Sequence, residues 1–266
     1  MKANLNRRGP AQSLKSMLAV DFRRMFTMPM LYILVGACLA MPILILVMTT
    51  MMDGSITVDP QTGVETVIEG FDNVWQIIGS ASGSGMTGMC LTGMCNINML
   101  YFFVAALVCI FVADDFRSGY AKNLFAVRTK RSNYVISKTL TGFVGGALML
   151  LAFFIGAMLG GAMAGLSFGL GAVSAGNVIL CMLAKIFLVG AFVPVYLLWG
   201  VIAKQKLWLS LVGSLCTGML FFMMVPMITP LDASFLNVIL CLAGGALLGA
   251  GLGAASNRVL NTTNLV

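Results

Sequence analysis

Few side chains in this sequence are equipped for chemistry. Histidine is absent from the chain, which removes Ser-His and Cys-His catalysis, HExxH metal sites and imidazole proton relays. No GxxxxGK(S/T) phosphate loop occurs, so the chain does not itself bind ATP in that manner. Lys185 is the one cation set well inside an apolar run, where an ammonium is costly unless it meets a cavity, a polar partner or the interface. It reads either as a contact for an anionic or carbonyl-bearing substrate on a translocation path, or as a side chain snorkelling to the outer headgroups or bonding to helix carbonyls. Ser174 lies on the same approach, but nothing in the sequence brings it within reach of Lys185 as a Ser-Lys pair. TGMC occurs twice, at 87–90 and 92–95. Soft Cys and Met ligands suit copper(I), yet 21 methionines are scattered through the chain, so packing is the preferred reading and no metal is expected.

These residues must be positioned by elements whose natural solvent is lipid. The chain has 266 residues, 59% of them hydrophobic and 9% charged, with a mean hydropathy of +0.98. That excludes a soluble domain. Six apolar runs, at about 30–51, 96–113, 139–163, 177–202, 207–227 (broken near Pro226 and Pro230) and 234–256, are separated by short links. Lys and Arg fall on alternate links: Lys2, Arg7, Arg8, Lys15, Arg23 and Arg24 before the first run; Arg117, Lys122, Arg128, Lys130, Arg131 and Lys138 after the second; Lys204 and Lys206 after the fourth; Arg258 after the sixth. The intervening links carry Asp53, Asp59, Glu65, Glu69, Asp72 and Asp232 and no basic residue. Basic flanks stay on the cytoplasmic side. The expectation is an all-α membrane protein, a single six-span transmembrane domain over 1–266 with both termini cytoplasmic. The net charge of +7 sits beside membrane ends, where anionic headgroups account for it; no nucleic-acid partner is expected.

Residues 13–26 precede any span. Leu14, Met17, Leu18, Phe22 and Met25 recur at helical spacing while Lys15, Asp21 and Arg24 face elsewhere, the pattern of an interfacial amphipathic helix ended by Pro29. The plainer alternative is an N-terminal extension of the first span. That span is read as retained rather than as a cleaved signal peptide. Residues 52–95 form an extracytoplasmic segment, within which 71–95 is rich in Gly and Ser and reads as a short outer helix, a lid or a re-entrant gate segment. Gly156 and Gly160, Gly161 and Gly165, Gly245 and Gly249, and Gly249 and Gly253 are spaced four apart, which lets helix backbones approach closely, within one chain or between two. Of seven cysteines, Cys38, Cys109, Cys181, Cys216 and Cys241 lie in apolar runs and behave as small hydrophobes rather than a disulfide framework.

The richest link is 114–138, DDFRSGYAKNLFAVRTKRSNYVISK. It has an acidic start, Gly119, a short helix-capable piece from Tyr120 to Val127, a basic turn, and a Tyr-x-x-Ser-Lys lead into the next run. Charge alone describes an ordinary positive-inside loop. The stretch also resembles the corresponding region of the permease subunits of type-2 ATP-binding-cassette (ABC) exporters, through Asp115, Gly119, Lys122, Leu124, Arg131, Tyr134, Ser137 and Lys138. An elbow helix, six spans and internal termini fit the same layout. Where many such permeases carry a re-entrant hairpin between the last two spans, this chain has room only for a short link around Pro226 to Ser234.

The resemblance implies a coupling helix seated in a separate ATPase, with Asp115, Gly119, Tyr120, Lys122, Leu124, Phe125, Arg128 and Arg131 as the coupling residues. Leu124 and Phe125 would be its apolar knobs, and Arg128, Lys130 and Arg131 would meet acidic rims or phospholipid. It further implies two cytosolic ABC ATPase subunits as partners, a second six-span permease (identical or homologous), and ATP and magnesium bound on the ATPases with no cofactor on this chain. The chain itself would be no enzyme. It would sit in a bacterial cytoplasmic (inner) membrane and export an amphipathic or hydrophobic cargo, a peptide by preference. The rivals are an ATP-independent secondary transporter or channel, against which stands the lack of intramembrane carboxylates, and an intramembrane enzyme.

Overall fold

The computed structural model describes residues 10–58, 65–67, 70–79, 95–126, 130–171, 173–222 and 224–262. Among them the elements run α1 Pro10–Thr27, α2 Pro29–Met52, β1 Ile56–Val58, β2 Glu65–Val67, a 3-10 turn Val74–Ile77, a second one Ile97–Met99 leading into α3 Leu100–Arg117, then α4 Tyr120–Ala126, α5 Arg131–Ala164, α6 Ala175–Ala203, α7 Leu207–Phe222, α8 Val225–Ile228 and α9 Phe235–Thr262. Five of the helices, α2, α3 with its leading turn, α5, α6 and α9, are long and apolar enough to cross a membrane. The fold is that of a predominantly helical multi-pass membrane protein.

The run expected as a fifth span over 207–227 is divided. α7 covers 16 residues, about 24 Å at helical rise against a hydrocarbon core of about 30 Å. Its end is dictated by Pro226, whose ring would collide with the carbonyl of Phe222 four residues back and which offers no N–H to continue the ladder. The chain restarts as the single turn α8 with that proline in its first turn. Pro29 acts likewise between α1 and α2, opening α2 at its first turn.

α5 is the axis of the bundle. α2 runs along one side of it and α1 lies against its beginning; α3 and α6 pack on its other faces, α7 closes against α3 and α6, and α9 lies along α6. Glycines permit the closest of these contacts. At Gly156 a methyl group would strike the Leu39 carbonyl oxygen and sit 2.8 Å from Pro42 Cγ, and at Gly160 one would sit 2.8 Å from Ile43 Cα. At Gly245 the nearest atom would be the Phe187 carbonyl oxygen at 3.2 Å. These glycines therefore serve contacts within one chain. Gly249 and Gly253 are looser, 3.8 Å from Pro194 and 3.6 Å from Val135.

The outward surface is apolar: Leu220, Leu247, Met163 and Trp208 are all exposed, while Asp21, Asp115, Lys138 and Lys185 are buried. Charged groups inside and large hydrophobes outside is the arrangement that lipid favours. The two ends of the bundle differ. One gathers α1, α4, the α6–α7 turn and the last turn of α9, and with them the basic links. The other gathers the antiparallel β1–β2 hairpin, in register Ile56 to Val67, and residues 70–79. No hairpin was expected in the acidic segment. Of 71–95, Val74, Ile77 and Ile78 are buried. Trp75 Nε1 donates to the Phe168 carbonyl at 3.1 Å and Val74 N to that of Ser167 at 3.2 Å, so this part docks on the end of α5; residues 80–94, with the first TGMC, lie outside the described residues.

Replacing Gly156 by Ala should lower stability by about 1–3 kcal/mol, because the methyl group meets backbone that cannot yield. Gly251→Ala, on open surface, should be neutral or gain up to about 1 kcal/mol from helix propensity. Unfolding of the two purified variants in detergent, side by side, measures the difference.

Candidate functional site

At the basic end, α1, the last turn of α3 and the first turns of α5 meet around two carboxylates. Asp115 Oδ1 accepts from Arg24 Nη1 at 2.6 Å, and its Oδ2 accepts from the Tyr134 hydroxyl at 2.9 Å and faces Lys138 Nζ at 2.7 Å. Asp21 Oδ1 accepts from Lys138 at 3.0 Å and Oδ2 from the Ser137 hydroxyl at 2.6 Å. Each carboxylate oxygen thus has a donor. Two negative and two positive charges compensate each other with three of the four side chains essentially removed from solvent. Asp114, half exposed, adds a longer contact to Arg24 at 3.3 Å.

Aromatic rings complete the enclosure. Lys138 Nζ lies 3.6 Å from the centroid of Phe111, and the Arg24 guanidinium 4.2 Å from that of Tyr120, cation–π contacts that gain strength where water is excluded. Burial works against the Arg24 charge, but the field and hydrogen bond of Asp115 outweigh it and raise its pKa above the ordinary value. Burial, with Asp21 and Asp115 near, pushes the Tyr120 phenol up as well. Tyr120 therefore stays neutral and presents its ring, not a third anion, to Arg24.

This geometry corrects the sequence reading of α1. Asp21 and Arg24 do not face away from the apolar stripe; Asp21 is buried beside Met17 and Met25, and Val20 and Phe26 are exposed. A carboxylate belongs on that face because Ser137 and Lys138 wait opposite it.

The proposed coupling residues separate into two groups. Gly119 turns the chain out of α3 with φ +73°, a conformation that favours glycine, and α4 follows. Lys122, Asn123 and Ala126 are exposed. Asp115 is buried in the cluster and is not available to a partner. Leu124 and Phe125, expected as protruding knobs, pack half-buried against the bundle instead, with Phe125 edge-on to Tyr134 at 5.5 Å. Being apolar, they take the inner face of a short amphipathic turn. Arg131 also points inward: its guanidinium donates to the Leu260 carbonyl and lies 5.6 Å from the Phe125 centroid, capping the last turn of α9. Arg128 lies outside the described residues.

Near the other end, Lys185 is fully buried and does not snorkel. Its Nζ donates to Asn98 Oδ1 at 2.8 Å and to Thr229 Oγ1 at 3.0 Å, and the Tyr101 hydroxyl donates to its backbone carbonyl at 3.0 Å. Ser174 caps the start of α6, accepting from Gly176 N at 3.3 Å, and is not among the partners of Lys185. Among the described residues no group of three or more His, Cys, Asp or Glu is placed to hold a metal.

Sequence reasoning did not select Asp21, Arg24, Asn98 or Thr229. The one available signal was the presence of Asp21 and Arg24 on a helix whose exposed positions include Val20 and Phe26. Comparison with known proteins finds no matching family, no matching curated protein and no matching solved structure.

Lys138→Met should cost roughly 3–5 kcal/mol, since it leaves the buried Asp21 without a cation and Asp115 with Arg24 alone. Asp21→Asn should cost less, because Lys138 then keeps Asp115 and Ser137 retains an acceptor. Lys122→Ala, on the exposed face of α4, should stay within about 0.5 kcal/mol. Denaturant titration of the three variants in one detergent checks the ranking.

Proposed function

We propose that this chain is the membrane-spanning permease subunit of an ATP-driven ABC exporter. In this reading α1 is the elbow helix in the cytoplasmic interface, α4 is the coupling helix, and α7 with α8 makes the fifth of six spans. A single observation supports it best: the short helix α4 is joined to a buried, charge-compensated cluster that also binds α1 to the ends of α3 and α5. Tyr120 of α4 lies against Arg24, and Phe125 against Tyr134 and Arg131. A push on such a helix moves span ends rather than a loose loop.

The contact surface for the ATPase is then the exposed face, Lys122, Asn123 and Ala126, rather than Leu124 and Phe125. ATP and magnesium reside on two cytosolic ATPase subunits. Their closure shifts the bundle between inward- and outward-facing states by differential affinity of ATP for the closed form. A second copy or a homologous permease completes the pore in a bacterial cytoplasmic membrane. The cargo is amphipathic or hydrophobic, with a peptide as the preferred class, since methionine-lined spans repack around varied shapes.

Purification of the tagged chain from its native host in mild detergent tests this reading. The expected result is a stoichiometric cytosolic partner carrying a GxxxxGK(S/T) loop. A Lys122→Glu, Asn123→Glu double variant should lose that partner while keeping its unfolding midpoint, because neither side chain holds the bundle together. A chain that purifies alone and transports in liposomes without ATP would instead be the secondary transporter.

A further inference from the structure

The two lysines buried in this bundle are treated in opposite ways. Lys138 has two carboxylates. Lys185, fully buried in α6, has two neutral oxygens, Asn98 Oδ1 and Thr229 Oγ1, and the ion pairs found among the described residues all belong to the cluster at the other end. An ammonium brings three N–H donors and a full charge; among the described residues two of the donors are met, by neutral oxygens, and no carboxylate lies within ion-pair distance, in a low-dielectric bundle where compensation matters most. Asn98 keeps an amide nitrogen that can donate as well, while the one hydroxyl hydrogen of Thr229 already goes to the Val225 carbonyl. Lys185 and Asn98 supply the donors that a carboxylate would take, and Thr229 adds a third only by turning away from Val225.

The three come from separate elements: Asn98 from the turn before α3, Lys185 from α6, and Thr229 from the link between α8 and α9. That link is the part least constrained by helix geometry. Thr229 has φ −126° and ψ 63° and lies between Pro226 and Pro230. It is retained by Thr229 Oγ1, which donates to the Val225 carbonyl at 2.9 Å and accepts from Lys185, and by Asn237 Nδ2 on the Ile228 carbonyl at 2.9 Å. Lys185 and Thr229 are 0% and 1% exposed, so an occupant enters only once the surrounding chain, of which this link is one part, moves.

We propose that Lys185, Asn98 and Thr229 form a binding site for the carboxylate of an amphipathic cargo, closed in this conformation by the α8–α9 link. The proposal rests on the bundle being a transporter, with or without an ATPase. A carboxylate that takes over Lys185 removes one of the contacts that hold Thr229, leaving its bonds to Val225 and to the Cys181 thiol, so filling the site loosens the link and biases that end toward opening. A carboxylic acid answers the site from either protonation state. A carboxylate meets an ammonium directly, while a neutral acid passes its proton to a neutral amine and leaves the same ion pair.

The test uses the purified full-length chain in non-ionic detergent, with no ATPase, titrated with dodecanoic acid or with dodecanamide of equal chain length. The unfolding midpoint and the binding isotherm are read for the wild type and Lys185→Met. The acid is expected to bind the wild type at least about tenfold more tightly than the amide, a difference of about 1.4 kcal/mol, and Lys185→Met is expected to abolish that preference. Without ligand the variant should keep or raise its midpoint, because an uncompensated charge has gone while Asn98 and Thr229 can still pair. If Lys185→Met fails to fold, Thr229→Val, which keeps the lysine, should reduce the acid preference without removing it.

Equal binding of acid and amide by the wild type would overturn the proposal, as would an acid preference surviving in Lys185→Met. Displacement of the acid by chloride at equal concentration would make this an inorganic-anion site and overturn the cargo assignment. Because no ATPase is present, failure here leaves the exporter reading standing, and absence of an ATPase partner leaves this result standing.

Discussion

The rest of the structure depends on the need to bury two carboxylates and two cations together or not at all. Each of Asp21, Asp115, Lys138 and Arg24 would be prohibitively costly as an isolated charge at this depth. Together they are neutral, and the carboxylate oxygens are satisfied by Ser137, Tyr134, Lys138 and Arg24. The constraint is geometric as well as energetic. α1, α3 and α5 can complete the set in one register only, because a shift of one residue turns each side chain by about a quarter of a circle or more around its helix. The angle of α1, the point where α3 ends and the place where α4 begins follow from that register.

Lipid removes the drive that would assemble such helices in water, since tails solvate leucine as well as a core does. The bundle is held by two other means. Gly156 and Gly160 let α2 lie against α5 at backbone distance, and polar pairs bind the ends. Arg131 closes the end of α9 onto the start of α5. Gln205 Nε2 reaches the Phe116 carbonyl at 3.3 Å while Arg117 Nε reaches that of Gln205 at 3.2 Å, joining the α6–α7 turn to α3. The Arg131, Arg117 and Gln205 contacts lie at the basic end, beside the buried charge cluster.

What was legible in the sequence was what acts locally. Hydropathy marked six apolar runs, of which five are helices long enough to cross a membrane; Pro29 marked the end of α1, and four-residue glycine spacing marked α5 as a helix of close contacts without naming α2 as the partner. The division of the run at 207–227 was partly legible through Pro226, whose effect falls four residues back. What was hidden depends on partners distant in sequence. Amphipathic periodicity sorts charges outward by default, so Asp21 was assigned to the wrong face; its partners lie 116 and 117 residues away. Leu124 and Phe125 invited the reading of protruding knobs because a seven-residue helix shows too little periodicity to reveal its inner face. Lys185 was legible as an anomaly, but Asn98 and Thr229, 87 and 44 residues distant, were not.

The contrast between the two buried lysines bears on how such a bundle could work. An alternating device needs one end that transmits displacement without yielding and another that yields at low cost. The basic end has the first property: opening it would expose four charges at once, and none can leave without stranding another. The opposite end has the second, because the Lys185 contacts to Asn98 and Thr229 are charge-to-neutral bonds, easily exchanged for a better acceptor. A cluster that is neutral within itself has nothing to gain from a passing anion, whereas a site holding one uncompensated cation does. Responsiveness to cargo therefore belongs at the end where electrostatic compensation is incomplete, and rigidity at the end where it is complete.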